Sequence, residues 1–175
     1  VTEFLTATIA YNSPFCLSTT DIQNVTITGS TAGTFSAPTG LSIDTTTGAI
    51  NPNASLVGTY IVKYHVPAQG SCDEVNAEAT VVITEGPSYE FVHGCEGSAY
   101  KLTVLPTNNS FNPATATFTW SGGAFIPAPN EPNAIILQSA GSYSVTITSE
   151  DGCSTVSDVL NITSIGCQIQ RGISP

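Results

Sequence analysis

The chain has 175 residues and carries 3 Lys or Arg residues against 13 Asp or Glu residues, for a formal net charge of −10. With so few cations it has no basic surface for nucleic-acid phosphates or for an anionic membrane. No apolar run approaches the ~20 residues of a transmembrane helix. The chain begins at Val1 and contains no Met, so we expect it to be a piece of a larger or processed protein.

The predicted elements, taken in chain order, are β-strands separated by turns. Thr and Ser alternate with apolar residues, as in VTIT at 25–28, TVVIT at 80–84 and YSVTIT at 143–148. This period of two places one set of side chains inward and the Thr and Ser set in water. No stretch of ten or more residues has helical spacing, so the sequence predicts an all-β protein.

Two similar units follow each other along the chain. Cys16 and Cys72 are 56 positions apart, and Cys95 and Cys153 are 58 positions apart. A matching strand precedes the second Cys of each pair, GTYIVKYHV from 58 and GSYSVTIT from 141. The turn-forming link at residues 85–87 then separates two units of about 80 to 85 residues, a normal size for a β-sandwich.

Strand alternation also predicts the cores. One face of each repeated strand is apolar, which places Tyr60, Val62, Tyr64 and Val66 inside the first unit and Tyr143, Val145 and Ile147 inside the second. Trp120 is the predicted core anchor of the second unit. The first unit has no Trp, so we expect Phe35 and Leu41 to complete its core.

Four of the five cysteines fit one disulfide in each unit, Cys16–Cys72 and Cys95–Cys153. Each would contribute about 4 kcal/mol on the chain-entropy model, and both indicate an oxidising location outside the cytoplasm. Five free thiols remain a less favoured alternative, and zinc is disfavoured because there is no CxxC pair. Cys167 is left without a predicted partner inside the chain.

These pairings require the loops of the two bonded cysteines to lie at one end of each sandwich. A string of modules, however, needs its two termini at opposite ends. We therefore expect an opening strand that splits and switches between the two sheets.

The first unit resembles the repeats of giant surface adhesins from gliding Bacteroidetes. The matching motifs occur in the family order: ATIAY (7–11), SPFC (13–16), VTITG (25–29), GTF (33–35), GLSIDTTTGAIN (40–51), GTYIVKYHV (58–66) and GSC (70–72). The second unit resembles a PKD-type immunoglobulin-like module through Cys95, TFTW, GSYSVTIT and DGC, although it lacks the family's usual DFGDG-like turn. The last nine residues, CQIQRGISP, resemble the opening of a type B sorting domain of the type IX secretion system.

The resemblance implies two tandem immunoglobulin-like (PKD-like) β-sandwiches, with residues 1–85 as adhesin repeat, 86–166 as PKD-like module and 167–175 as the truncated start of the sorting domain. It implies a non-catalytic stalk of a SprB-type gliding-motility adhesin at the outer-membrane-associated cell surface. Its partners would be the type IX secretion and gliding machinery, and an extracellular surface or polysaccharide. A carbohydrate-binding or spacer module of a secreted hydrolase is the alternative, for which Tyr11, Phe91 and Tyr100 are stray aromatic candidates.

No catalytic motif occurs in the chain, which lacks GxSxG, HExxH, a P-loop and a dinucleotide fingerprint. His65 and His93 are interpreted as ordinary surface histidines, and the pairs Asp73–Glu74 and Glu150–Asp151 as hairpin tips. We expect no enzyme activity and no cofactor, with calcium at loop acids such as Glu85 and Glu90 as a minor alternative.

The segment Asp44-Thr45-Thr46 fits the short acceptor pattern of Bacteroidetes O-glycosylation. Thr45 is therefore a candidate modification site. A plain β-turn explains the same residues equally well.

Overall fold

The computed structural model describes residues 5–70 and 72–167. One compact unit ends at Glu85 and the next begins at Gly86, within the Glu85-Gly86-Pro87 link of the sequence. We call these unit 1 and unit 2 and describe each by itself. Both are immunoglobulin-like β-sandwiches, so the predicted all-β fold is confirmed.

Within the described residues, unit 1 contains six strands and a short 3₁₀-helix at Pro52–Ala54. The strands are β1 (Ala7–Ala10), β2 (Phe15–Cys16), β3 (Thr26–Gly29), β4 (Thr34–Ser36), β5 (Gly58–Val66) and β6 (Val75–Thr84). One sheet pairs β1 with β3, and the other has the order β2-β6-β5-β4. The β5–β6 hairpin is the longest ladder, running antiparallel from Gly58 opposite Ile83 to Val66 opposite Val75.

The opening strand of unit 1 is divided between the two sheets, as the sequence led us to expect. β1 pairs antiparallel with β3, whereas β2 pairs parallel with β6 through Phe15 opposite Ile83. Between them, the Ser13 hydroxyl accepts a hydrogen bond from the Val82 backbone N–H at 2.7 Å. This side-chain contact extends the short β2–β6 pairing by two residues, toward the place where the chain passes from the sheet of β1 to the sheet of β2.

The core of unit 1 lies between its two sheets and contains the residues predicted for it. Tyr64 is 1% exposed, and Val62 and Val66 are 0% exposed. Lys63, on the opposite face of β5, is solvent-exposed, which is the pattern that a half-buried strand requires. The buried set is Ile9, Phe15, Phe35, Leu41, Ile50, Tyr60, Val62, Tyr64, Val66, Val81 and Ile83.

The described part of unit 2 contains eight strands in two sheets. They are β7 (Tyr89–Glu96), β8 (Ala99–Pro106), β9 (Thr117–Gly122), β10 (Phe125–Pro127), β11 (Ala134–Leu137), β12 (Gly141–Thr148), β13 (Ser154–Val156) and β14 (Leu160–Ile162). The first sheet has the order β10-β11-β8-β7. In the second, β12 pairs with β9 along one edge and with β13 and β14 along the other.

The core of unit 2 forms where β8 and β11 face β12. Tyr143 and Ile147 are 0% exposed and Val145 is 1% exposed, as the alternation in β12 predicts. Trp120 packs against both clusters of this core, and its ring centroid lies 6.3 Å from that of Phe91. The predicted anchor role of Trp120 therefore agrees with its position.

A shared tyrosine supports the alignment of the two units. In each unit, a tyrosine lies two residues after the glycine that opens the repeated strand. Its hydroxyl donates a hydrogen bond to the backbone carbonyl of the residue four positions before the tyrosine. Tyr60 reaches Leu56 O at 2.8 Å, and Tyr143 reaches Ser139 O at 2.6 Å. Each bond satisfies a carbonyl at the start of the strand with a hydroxyl from the core.

The disulfide predicted for unit 1 is wrong. Cys16 lies in β2 opposite Thr84, at the end of β6, whereas Cys72 lies in the turn that precedes the start of β6. The nine residue steps of β6 separate the two cysteines by about 30 Å at 3.3 Å per residue. A disulfide requires Cα atoms within about 7 Å, so these two cysteines cannot bond to each other.

The pairing predicted for Cys95 is also wrong. Cys95 is bonded to Cys167, with Cα atoms 5.5 Å apart. Cys95 lies near the β7–β8 turn, while Cys153 follows the far end of β12 and precedes β13. The two therefore occupy opposite ends of the sandwich, and Cys167, which follows β14, lies at the end where Cys95 is.

Residues 168–175, which make up almost all of the predicted start of the sorting domain, lie outside the described residues. Cys167 alone of that segment is described, through its bond to Cys95.

Candidate functional site

A groove of about 350 Å³ lies on the side of unit 2 between the two sheets. One wall is β9, which pairs with β12 along its other edge, and the opposite wall is β10 with β11 and the loop between them. We call this the β9–β10 groove. Its main lining side chains are Phe118, Trp120, Phe125, Pro127, Glu131 and Pro132.

The alternating sequence of β9 explains the aromatic wall. In the run TFTW, Thr117 and Thr119 are exposed, while Phe118 and Trp120 are half-buried and turned toward the opposite sheet. Phe125, on the facing strand, packs edge-on against the Tyr143 ring at a centroid distance of 6.4 Å. Core side chains therefore pack against the rings of the groove on the side away from solvent and hold them in place.

Trp120 carries an unsatisfied polar group. Its indole Nε1 is buried, and among the described residues no hydrogen-bond acceptor reaches it. A buried N–H without a partner costs roughly 1–3 kcal/mol. The Nε1 atom is enclosed by the protein, so this donor is not offered to a ligand in the groove.

Glu131 supplies the charged group of the groove and is held by a lysine. Lys101 Nζ, in β8, lies 2.6 Å from a carboxylate oxygen of Glu131 and 3.3 Å from one of Glu96. The Lys101 side chain is only 14% exposed. The hydrogen bond to Glu131 raises the pKa of Lys101, so the ion pair persists at neutral pH and the groove has little net charge.

Each histidine considered in the sequence has a partner within its own unit. His65 Nδ1 lies 3.0 Å from Asn76 Oδ1 on the neighbouring strand of unit 1. His93 Nδ1 lies 2.8 Å from the Tyr100 hydroxyl, and the two rings stack. Both histidines therefore have ordinary side-chain partners within one sheet.

The stray aromatic candidates also lie apart. Tyr11, in unit 1, donates to Gly48 O at 2.7 Å, and burial raises its pKa to about 12. Phe91 packs between Tyr89 and Trp120 in unit 2, and Tyr100 stacks on His93. These three do not form the planar row that a flat saccharide-binding surface needs. The β9–β10 groove was missed because Trp120 was assigned to the core and Phe125 was not considered.

The acidic pairs lie at turns, as the sequence predicts. Glu150 and Asp151 border a second groove of about 440 Å³ at the turn between β12 and β13, where Glu150 accepts from the Thr115 hydroxyl at 2.9 Å. Glu85 and Glu90 are both exposed. Within residues 5–70 and 72–167, no three His, Cys, Asp or Glu side chains are grouped closely enough to hold a metal ion.

Thr45 occupies an exposed turn. The Asp44 carboxylate accepts hydrogen bonds from the Thr46 and Thr47 backbone N–H groups, each at 2.8 Å, and the turn closes through Gly48 N to Asp44 O at 2.8 Å. The Thr45 side chain is exposed on this braced turn. The position is accessible to a modifying enzyme and is equally a plain β-turn.

No protein-family model and no curated protein match this chain. Among solved structures, extracellular domains 3–5 of Drosophila OTK match with 13% identity and a TM-score of 0.39, over 91% of this chain and 61% of that one. An I-band fragment from titin matches with 12% identity and a TM-score of 0.45, over 88% and 62%. The chain thus spans about three fifths of the length of these structures, and both likenesses concern the fold alone.

The Cys95–Cys167 bond indicates an extracellular or secreted protein, since such bonds persist outside the reducing cytoplasm. None of the helical segments in the described part of the chain has the length and apolar character needed to span a bilayer.

Proposed function

We propose that this chain is a stalk segment of a large secreted cell-surface adhesin used in gliding motility and surface attachment. It extends the adhesive region from the cell and joins it to a C-terminal sorting signal read by the type IX secretion system. The order of the seven adhesin-repeat motifs in unit 1 supports this proposal, as does the similarity of the last nine residues to a sorting-domain opening.

The observation that carries the proposal is the construction of the two units. Each has its own core, formed by the two sheets of that unit, and the second unit follows the first along the chain from Gly86 onward. Modules of this kind are added in series to lengthen a protein, and their side chains are used for packing rather than for chemistry.

The Cys95–Cys167 bond suits the same role. Without it, the chain would leave unit 2 through β14, which pairs with β12 over only three residues. The disulfide ties this exit to β7, an eight-residue strand paired with β8 along its whole length. The point where a following domain is attached is thereby fixed to the most extensively paired part of unit 2.

The test is a module exchange in the full-length adhesin of the source bacterium. Residues 5–166 are replaced by two unrelated disulfide-bonded sandwiches of equal length, and surface display and gliding speed are measured. We expect display and gliding to be retained, because the proposal assigns the segment length and attachment rather than specific chemistry. A version that ends at Cys167 is the control and should lose display, while loss of export in the exchanged version would contradict the proposal.

A further inference from the structure

We propose that the β9–β10 groove is a binding site for a neutral saccharide. This inference goes beyond the stalk function and does not rest on it, because the groove lies wholly within unit 2 and uses side chains that the stalk role does not require.

The shape and lining suit one or two sugar rings. The volume of about 350 Å³ falls within the ~300–1,000 Å³ range of small-molecule sites. Its walls carry the rings of Phe118, Trp120 and Phe125, and Pro127 adds a further apolar ring. The C–H faces of a pyranose pack on such rings, since these surfaces are apolar and rigid.

The groove offers one exposed polar group to a ligand. Trp120 Nε1 is itself buried, so the polar contact comes from Glu131. The Glu131 carboxylate is 45% exposed even though Lys101 binds it, so it keeps lone pairs free to accept from a sugar hydroxyl. A ligand with both hydroxyls and apolar faces satisfies all of these groups together.

The charge of the site favours a neutral ligand. Lys101 is paired with both Glu131 and Glu96, so the groove presents no unpaired cation to an anionic sugar. The whole chain carries a net charge of −10, which repels uronic acids and sulfated glycans.

The bordering strands disfavour an added peptide strand. β10 has only three residues and ends at Pro127, which has no N–H to donate to a ladder. Pro132 continues the same wall. An extended peptide would therefore find a pairing edge only on β9, whereas a saccharide makes no use of strand edges.

The experiment exploits the single Trp of the chain. The full chain is labelled with ¹⁵N and titrated with cellohexaose, xylohexaose, laminarihexaose, mannohexaose and chitohexaose up to 10 mM each. The one indole N–H peak reports on Trp120, and calorimetry gives the affinity independently. We expect at least one neutral hexasaccharide to shift this peak in a saturable manner, and hexagalacturonate to leave it unchanged.

Three variants place the binding in the groove. Glu131→Gln and Phe125→Leu should each weaken the affinity for the bound hexasaccharide at least tenfold, because they remove an acceptor charge and a ring face. Glu150→Gln, the same change at the second groove, should leave the affinity unchanged. Peak dispersion in each spectrum establishes that the variant is folded.

Three outcomes would overturn the proposal. The first is that none of the five neutral hexasaccharides binds. The second is that Glu150→Gln weakens binding as much as Glu131→Gln. The third is that a proline-rich decapeptide shifts the indole peak where no saccharide does, which would assign the groove to peptides instead.

Discussion

Asp44 is an exposed carboxylate that organises a turn by accepting two backbone hydrogen bonds. The N–H groups of Thr47 and Thr46 hold the pKa of this carboxyl below its usual value. Because both bonds go to the ionised form, the carboxylate braces the turn that presents Thr45. The lowered pKa depends only on Asp44 and the two backbone N–H groups that it accepts from, so a single substitution tests it.

A lowered folded-state pKa contributes stability that is present above the unfolded pKa of ~3.9 and is lost as the pH falls through the folded pKa. We therefore predict that the melting temperature of the native chain falls more steeply than that of Asp44→Asn as the pH decreases from 5 to 2. Calorimetry across this range measures both curves. Thr45→Ala keeps the carboxylate and both donors and should follow the native curve, whereas parallel curves for Asp44→Asn would refute this account.

At the same scale, the alternation of apolar and polar residues was sufficient to place most core side chains. Tyr60 and Tyr64 are buried as predicted because the strand period of two admits no other arrangement once one face is covered. Trp120 shows the limit of this reasoning. The position of Trp120 in β9 follows from the alternation of apolar and polar residues. The groove beside Trp120 depends on where β10 ends, and the local sequence does not predict that end.

At the scale of elements, Lys101 joins β8 to the β10–β11 loop and to β7. Its ammonium contacts Glu131 in the loop and Glu96 in the strand, and its side chain is largely buried. The salt bridge between Lys63 and Glu78 in unit 1 offers a comparison, since both of its side chains are more than half exposed at a separation of 3.5 Å.

We predict that Lys101→Met lowers the free energy of unfolding by about 1–2 kcal/mol, because it removes the charge-assisted hydrogen bonds that the largely buried Lys101 side chain makes to Glu131 and Glu96. Lys63→Met should cost less than ~0.5 kcal/mol, since exposed ion pairs contribute little. Urea denaturation of the two variants at pH 7, followed by circular dichroism, measures the difference. Equal effects of the two substitutions would contradict the distinction.

The cysteine pairing shows what the sequence could not provide at the element scale. The repeated spacing of the cysteines indicated two equivalent bonds, but spacing along the chain does not state which end of the sandwich each cysteine occupies. β2 runs parallel to β6 and meets it at Thr84, so Cys16 lies at the end opposite to the turn that holds Cys72. Sheet topology, a long-range property, therefore decided the outcome.

For the whole molecule, the path of the chain after β14 could not be predicted from the amino-acid pattern. Cys167 was left over in the sequence because its partner had been assigned elsewhere. In the structure it closes a bond across 72 positions to Cys95, which encloses almost all of unit 2 in one covalent loop. The stability of this unit should then depend on the bond more than on any single side chain of its core.

We predict that the double variant Cys95→Ser/Cys167→Ser lowers the unfolding free energy of unit 2 by about 4 kcal/mol, the chain-entropy value for a loop of this length. Because the sole Trp lies in unit 2, its fluorescence during urea denaturation reports on that unit alone. Peptide mapping of the native chain without reduction should yield a peptide that contains Cys95 and Cys167. A Cys95–Cys153 peptide, or an unchanged urea midpoint in the double variant, would show that this bond does not hold unit 2 together.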